Sequence, residues 1–519
     1  MTNKHIEKMP DASESYWLNS TELPTFPSLT EDRKADVVIT GGGISGIMTA
    51  YQLTRKGYRI ALIEADRMLN GTTGFTTAKL TAQHGLIYDH LLQHNGEETA
   101  RQFYEANTEA VQYVRTLIEE KGIDCDFSEE PAYVFAEDEE QKEKVVKEGE
   151  AYQKLGIDGE FVHTLPLEIE HLGAVVMNRQ AQFNPVKFLK PLIEEIITQG
   201  GEVFENTRVT DIEPNPRPSA VTREGHKVEG DYLVVCSHYP FYDKEGYYYA
   251  RLSPSRSYSI AAETTGDYPG GMYVNAGQPA RSLRCIHADG KKMVLAGGYG
   301  HPIGHKQNTE ENYSKLYEFT DQVFGIENVP YRWSSQDPGT LDQIPYIGKY
   351  STEMNNVFVA TGYRKWGMSS GVLAGRLLTD LISGEGSKYE EMFSPLRPIS
   401  EPNMKQLTQT SFHAGKMFAE DKAEEPKGRF ADLQTDEGKV VKYNEQRAGA
   451  YRDRQGSLHV VDTTCTHMGC ETHWNNSERT WDCPCHGSRF SYNGEVVEGP
   501  ATKPLKRLFD GAQPIDSLE

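Results

Sequence analysis

Apolar and polar positions fall into blocks along the chain that predict an ordered series of elements. Val37-Val38-Ile39 is a short unbroken apolar run that stops at Gly41-Gly42-Gly43. From Ile44, apolar residues return at helical spacing (Ile44, Ile47, Met48, Tyr51) as far as Gly57, and Ile60-Ala61-Leu62-Ile63 is a second run. This order predicts a βαβ unit. Two charged stretches, 97–121 and 137–155, space Glu and Lys three or four apart and read as helices with solvated faces. Strand-like runs follow at Val203-Phe204, Tyr232 to Cys236, Ser257 to Ala262, Lys292 to Ala296 and Val357 to Ala360. Gly371 to Leu381 predicts an amphipathic helix ended by Gly384. Two stretches lack any period. Residues 1–34, broken by Pro10, Pro24 and Pro27, read as an N-terminal arm, and 394–430, with Pro395, Pro398, Pro402 and Pro426, as a linker. Residues 431–519 show short strand patterns and turns such as Asn493-Gly494, the signature of a small all-β domain. No internal repeat is visible.

Composition narrows the class. The 519 residues carry 54 Lys plus Arg against 76 Asp plus Glu, a net charge of −22 that repels phosphate backbones, so no nucleic-acid partner is expected. With 37 % apolar and 25 % charged residues the chain can bury cores. No window approaches the roughly 18 to 20 consecutive apolar residues that cross a bilayer, so no membrane insertion is expected. Glu7, Asp11 and Glu14 interrupt the N-terminus, which has no apolar secretory segment, and this predicts the cytoplasm. Of seven cysteines, Cys125, Cys236 and Cys285 are scattered, whereas Cys465, Cys470, Cys483 and Cys485 cluster and mark a site.

Gly41, Gly43 and Gly46 form G-x-G-x-x-G directly after a strand and at the head of a helix, with Glu64 ending the second strand. Gly41 permits the tight turn, Gly43 lets a pyrophosphate approach the backbone, and Gly46 lets helix and strand pack closely. The helix N-terminus supplies free N–H groups. Glu64 suits a ribose diol and repels a 2′-phosphate, which disfavours NADP and leaves NAD or FAD.

Downstream the chain reads Thr340-Leu-Asp342-Gln-Ile-Pro345-Tyr-Ile347-Gly348 and Ala360-Thr-Gly362-Tyr-Arg-Lys-Trp-Gly367-Met368. Here it resembles the flavoprotein family of D-amino-acid oxidase, glycine oxidase and sarcosine oxidase, over about 35–385. The resemblance implies FAD, a Rossmann-like α/β FAD-binding domain and an antiparallel-sheet substrate domain within 35–393. The FAD-binding segments would be about 35–95, 200–245 and 335–390, and the substrate segments about 165–200 and 245–335. It places the ADP half on Gly41, Gly43, Ile44, Ser45, Gly46, Glu64 and Ala65, and Thr73, Gly74, Thr76 and Thr77 beside the pyrophosphate and flavin. Backbone at Val209 would meet adenine; Asp342, Gly362, Gly367 and Met368 would border the ring. Alternatively, Asp342 caps a turn, Gly362 and Gly367 serve only backbone conformation, and Trp366 is packing. Gly297-Gly298-Tyr299-Gly300 ends a strand with no helix after it, so a second dinucleotide domain is disfavoured and the reductant is expected to be a small molecule. His301, Tyr258, Lys79 and His84 are catalytic candidates and Arg256 a pocket candidate, against the reading that each is an ordinary hydrogen-bonded side chain.

Cys465-Thr-His467-Met-Gly-Cys470 and Cys483-Pro-Cys485-His486-Gly-Ser488 have the form of two metal-binding loops. Zinc is one reading, but it takes four ligands where six are offered. The pattern resembles Rieske proteins of the cytochrome bc complexes. The resemblance implies a [2Fe–2S] cluster with Cys465 and Cys483 on one iron, His467 and His486 on the other, and a Cys470–Cys485 disulfide tying the loops. Such a bridge is unusual in the reducing cytoplasm. Ser488 matches a hydroxyl that donates toward a cluster sulfide, Phe490 replaces a second donor, and Gly499-Pro500-Ala501 resembles the loop that covers the cluster. An intermediate potential within the range of about −150 to +300 mV is expected. Together, the two halves predict oxidation of an amine or amino acid by the flavin, with electrons passed singly to the cluster and on to an external acceptor. The alternatives are an oxidase that uses O₂ around a structural cluster, and a non-catalytic redox sensor.

Overall fold

The computed structural model describes residues 5–288, 291–305, 308–423, 425–426 and 428–511. The predicted βαβ unit forms the centre of a six-stranded sheet: Val37–Thr40, helix Ile44–Arg55 and Ile60–Ile63. Its order is Tyr346–Lys349, Val357–Thr361, Tyr232–Val235, Val37–Thr40, Ile60–Ile63, Glu202–Phe204, all parallel except the first. The inner strands are nearly unbroken apolar runs because both faces are covered. Helices Ile44–Arg55 and Gly367–Ser383 lie together on one face, so close that a Cβ on Gly375 would fall 2.6 Å from Met48 Cβ.

A second, mixed sheet runs Ile326–Thr340, Leu252–Thr264, Lys291–Pro302, Arg281–Ala288, Met272–Asn275, Ser128–Phe135, Ala174–Gln182, Lys79–Leu80, with Gly159–Val162 beside Ala174–Gln182. Its pairs are antiparallel apart from Met272–Asn275 with Ser128–Phe135. It draws on more of the chain than the expected substrate segments, because short strands at 79–80, 128–135 and 159–162 join it. Helix Pro185–Thr198, expected in the substrate part, instead packs on helix Ile44–Arg55 through its apolar face.

The all-β domain holds two four-stranded antiparallel sheets. One is Glu437–Tyr443, Gln446–Arg452, Leu458–Val461 and Arg507–Gly511; the other is His473–Asn475, Thr480–Asp482, Arg489–Ser491 and Val496–Glu498. Trp481 is fully buried at their core.

Two predicted loose segments are fixed. In the arm, Ser15 caps the short helix Tyr16–Asn19, and Trp17 is buried with its Nε1–H donating to the Thr76 carbonyl at 2.8 Å. Two adjacent aromatics give no period, which is why composition alone called this stretch loose. The linker contains helix Glu401–Ala423, and before it Arg397 donates to both carboxylate oxygens of Asp342 at 2.6 and 2.7 Å.

Candidate cofactor sites

At the glycine turn, Gly41 has φ +109°, and a Cβ there would meet the Cys236 carbonyl at 2.3 Å. A Cβ on Gly46 would lie 2.0 Å from the Gly41 carbonyl oxygen. Both positions therefore require glycine, one for conformation and one for close approach. Glu64 accepts from the N–H of Gly42 at 2.6 Å and of Asp66 at 3.0 Å. Burial raises its pKa despite these bonds. Ala65 beside it is half-buried. The hydroxyl oxygen of Thr73 accepts the N–H of Ile44 at 3.0 Å, holding the loop 71–77 over the helix N-terminus. Ser45 Oγ lies 2.7 Å from Tyr363 OH, and Val209, at the start of strand Val209–Glu213, and Met368 are buried. Gly362, φ +81°, leaves no room for a Cβ, which would fall 2.4 Å from Thr340 Cγ2. Gly367, by contrast, has space and opens helix Gly367–Ser383. Asp342 turns to Arg397, so the turn-stabilising reading fits it better than a ring contact.

Burial lowers the pKa of Lys365 despite the nearby Asp337 carboxylate. Side chains converge on the Gly297–Gly300 stretch, which continues strand Lys291–Pro302 rather than ending it. A Cβ on Gly300 would meet Ser257 Oγ at 2.8 Å and Lys365 Nζ at 2.9 Å; one on Gly297 would meet Thr77 Cγ2 at 2.8 Å. These glycines make room for opposing side chains.

The four catalytic candidates fall in three places, and only Tyr258 and His301 are paired with each other. Tyr258 OH lies 2.9 Å from His301 Nε2, with His301 Nδ1 2.8 Å from the Pro302 carbonyl. Burial raises the Tyr258 pKa, so its phenol stays protonated. Lys79 donates to Ser282 Oγ at 3.0 Å, and burial, helped by Arg284, lowers it to about 7. His84 stacks on Trp366 at 5.1 Å with Nε2 2.9 Å from Ser369 Oγ; burial, then Arg364, lowers it to about 3, so it is neutral. Trp366 thus packs on His84. Arg256 is buried and donates to Ser334 Oγ and, at 2.7 Å, to Glu498 of the all-β domain.

In the all-β domain the two loops face each other. Cys470 and Cys485 form a disulfide, as the resemblance implied. The sulfurs of Cys470, Cys483 and Cys485 lie within 4.8 Å of one another, but two are bonded together and unavailable as thiolate ligands. Cys465 and Cys483 remain free and buried. The imidazoles of His467 and His486 are 5.0 Å apart, and the Nδ1 atom of each is buried without a hydrogen-bond partner. Burial, then His467, lowers His486 to about 4, leaving a neutral ring with a free lone pair. Two thiols and two orphaned Nδ1 atoms are the donor set a Rieske cluster takes. Ser488 hydrogen-bonds toward the Cys465 sulfur and accepts the Ala501 N–H at 3.0 Å, which ties residues 499–501 to the second cysteine loop. Phe490 is fully buried in the core.

The histidine edge is turned onto the first half of the chain. Asp243 Oδ2 is 2.8 Å from His467 Nε2, and the Tyr249 ring meets both imidazoles edge-on at 5.6 and 5.4 Å. Around it, Gln336 Nε2 donates to the Gly487 carbonyl at 3.0 Å, and Arg208 donates to the Val496 carbonyl at 3.0 Å. None of Asp243, Tyr249, Gln336 or Lys365 was a sequence candidate. Lys365 alone had a signal, as the one lysine between Gly362 and Gly367.

A family model described as FAD dependent oxidoreductase matches residues 36–381, and one for the Rieske [2Fe-2S] domain matches 426–509. The Bacillus subtilis (strain 168) protein YhfW, named for a Rieske 2Fe-2S iron-sulfur protein, is 46 % identical over 508 residues, 98 % of this chain and 99 % of that one. Gamma-glutamylputrescine oxidoreductase of Escherichia coli (strain K12) is 24 % identical over 397 residues, 74 % of this chain and 92 % of its own. The glycine oxidase structure from Geobacillus kaustophilus shares the fold, with a TM-score of 0.60 at 20 % identity over 71 % of this chain and all of that one.

Proposed function

Because the chain belongs to the DAO family of FAD-dependent oxidoreductases and carries a C-terminal Rieske domain, we propose that it oxidises a small amine or amino acid and delivers the electrons singly, through the cluster, to an external acceptor. In this reaction the substrate exchanges a C–H and an N–H bond for a C=N bond, releasing two electrons and two protons. Bound FAD would supply the two-electron oxidant and the [2Fe–2S] centre a one-electron carrier.

This chain's residues would divide the work. Gly41, Gly43 and Gly46 with Glu64 and Thr73 would seat the dinucleotide. Cys465, His467, Cys483 and His486 would hold the cluster. Lys79, titrating near neutrality, would take or hold a proton, and the Tyr258–His301 pair would orient substrate. The substrate class is supported by relatives whose names refer to an amine derivative and to glycine.

The observation that carries the reading is the docking of the histidine edge. Asp243 and Tyr249 lie in the segment after strand Tyr232–Val235, and Cys236 at the end of that strand abuts Gly41. One short segment thus joins the nucleotide turn to the cluster loops. Anaerobic stopped-flow mixing with a panel of amines and amino acids tests it. Flavin bleaching followed by cluster reduction is expected. Bleaching with no cluster signal, and peroxide formed stoichiometrically under air, would instead establish the oxidase reading with a structural cluster.

A further inference from the structure

Asp243 stands 224 residues before His467 in sequence, yet its Oδ2 takes the Nε2–H of that imidazole. Among the described residues no lysine or arginine pairs with Asp243. Its neighbour Lys244 is committed to Asp211 at 2.9 and 2.8 Å. The second oxygen, Oδ1, is buried without a hydrogen-bond partner. The negative charge is therefore uncompensated by any cation and directed at one of the two cluster imidazoles. Tyr249 packs edge-on against both rings.

A carboxylate that accepts an imidazole N–H strengthens the opposite nitrogen as a donor and fixes the ring's orientation. It also adds negative charge near the iron that the ring holds. Both effects favour the oxidised cluster, which carries one electron fewer, and oppose the rise in potential that two histidines cause relative to two cysteines. We infer that Asp243, supplied by the flavin half, is a positioning residue that orients His467 and lowers the reduction potential of the cluster, and that it does so only while the two halves are docked. The inference rests on the [2Fe–2S] part of the proposed function and assumes neither the substrate nor the direction of electron flow.

The test is a redox titration of the cluster, followed by EPR in the full-length holoprotein, for wild type, Asp243→Asn and Asp243→Glu. Removing the charge in Asp243→Asn is expected to shift the oxidised-to-reduced ratio at fixed poise about tenfold toward reduced, a rise of about 59 mV for one electron. Asp243→Glu should restore most of the wild-type value. An unchanged midpoint in Asp243→Asn overturns the inference, whatever stopped-flow experiments show for substrate oxidation. If the Asn variant fails to retain its cluster, wild-type holoprotein treated with diethyl pyrocarbonate decides. His467 is expected to resist modification, and reaction as fast as that of exposed His94 overturns the inference.

Discussion

Gly304→Ala is expected to undock the two halves of the molecule. Gly304 sits in a turn of the substrate sheet with φ +72°, and its carbonyl accepts the Nδ1–H of His473 at 2.7 Å. An added Cβ would lie 2.6 Å from the Pro484 nitrogen and 2.7 Å from its Cα, backbone atoms of the loop that carries Cys483, Cys485 and His486. Forcing a side chain into the left-handed region costs about 1–2 kcal/mol. Overpacking against rigid backbone adds about 1–3 kcal/mol. The first cost falls on docked and undocked forms alike, so only the second, about 1–3 kcal/mol, lowers the docked-to-undocked ratio, about 5- to 140-fold at 1.4 kcal/mol per decade. Small-angle X-ray scattering should show an expanded particle, and limited proteolysis should cut sooner within Glu401–Ala423. Gly200→Ala is the control: it has φ +90° and nothing within 4 Å of its Cβ, so it carries the conformational cost without the clash. A Gly304→Ala protein with wild-type scattering and protease resistance would refute the reasoning.

Three further outcomes are expected. Gly46→Ala, whose Cβ would sit 2.0 Å from the Gly41 carbonyl, should purify without flavin absorbance but with its iron–sulfur EPR signal intact. His473 is opposed by burial, but Asp421 at 3.2 Å and the Gly304 carbonyl outweigh that and raise its pKa. Its stabilising contribution is therefore complete below about pH 6.5 and lost as pH rises through the folded value, so denaturation of His473→Gln should lose part of the wild-type pH dependence in that window. Cys485→Ser opens a bridge between residues 15 apart in sequence, worth about 3 kcal/mol, and should bleach at lower urea than wild type while keeping its four ligands.

The pattern of the chain revealed what local physics determines. The βαβ unit was legible because strand, glycine turn and helix are contiguous, and the cluster ligands because Cys and His stand within a few residues of each other in two short motifs. What stayed hidden depends on distant partners. Arg256 looked like a pocket residue, and only the fold shows Glu498 beside it. Asp243 has no motif, since its function comes from a partner on another domain. Trp17 lies in a stretch that proline and charge mark as loose, yet one buried indole with a carbonyl partner suffices to anchor it. The linker misled similarly: Arg397 and the helix after it are held by tertiary contacts that composition does not encode.

The anchored arm reaches further than the flavin half. The Asp11 carbonyl accepts from Arg479, 468 residues later, and the Asp11 carboxylate from Arg454 at 3.1 Å. Two parts of the chain far apart in sequence are thus neighbours in the finished molecule. Vectorial synthesis can complete the dinucleotide sheet only after strand Val357–Thr361 emerges, and this clasp only after Arg479 does.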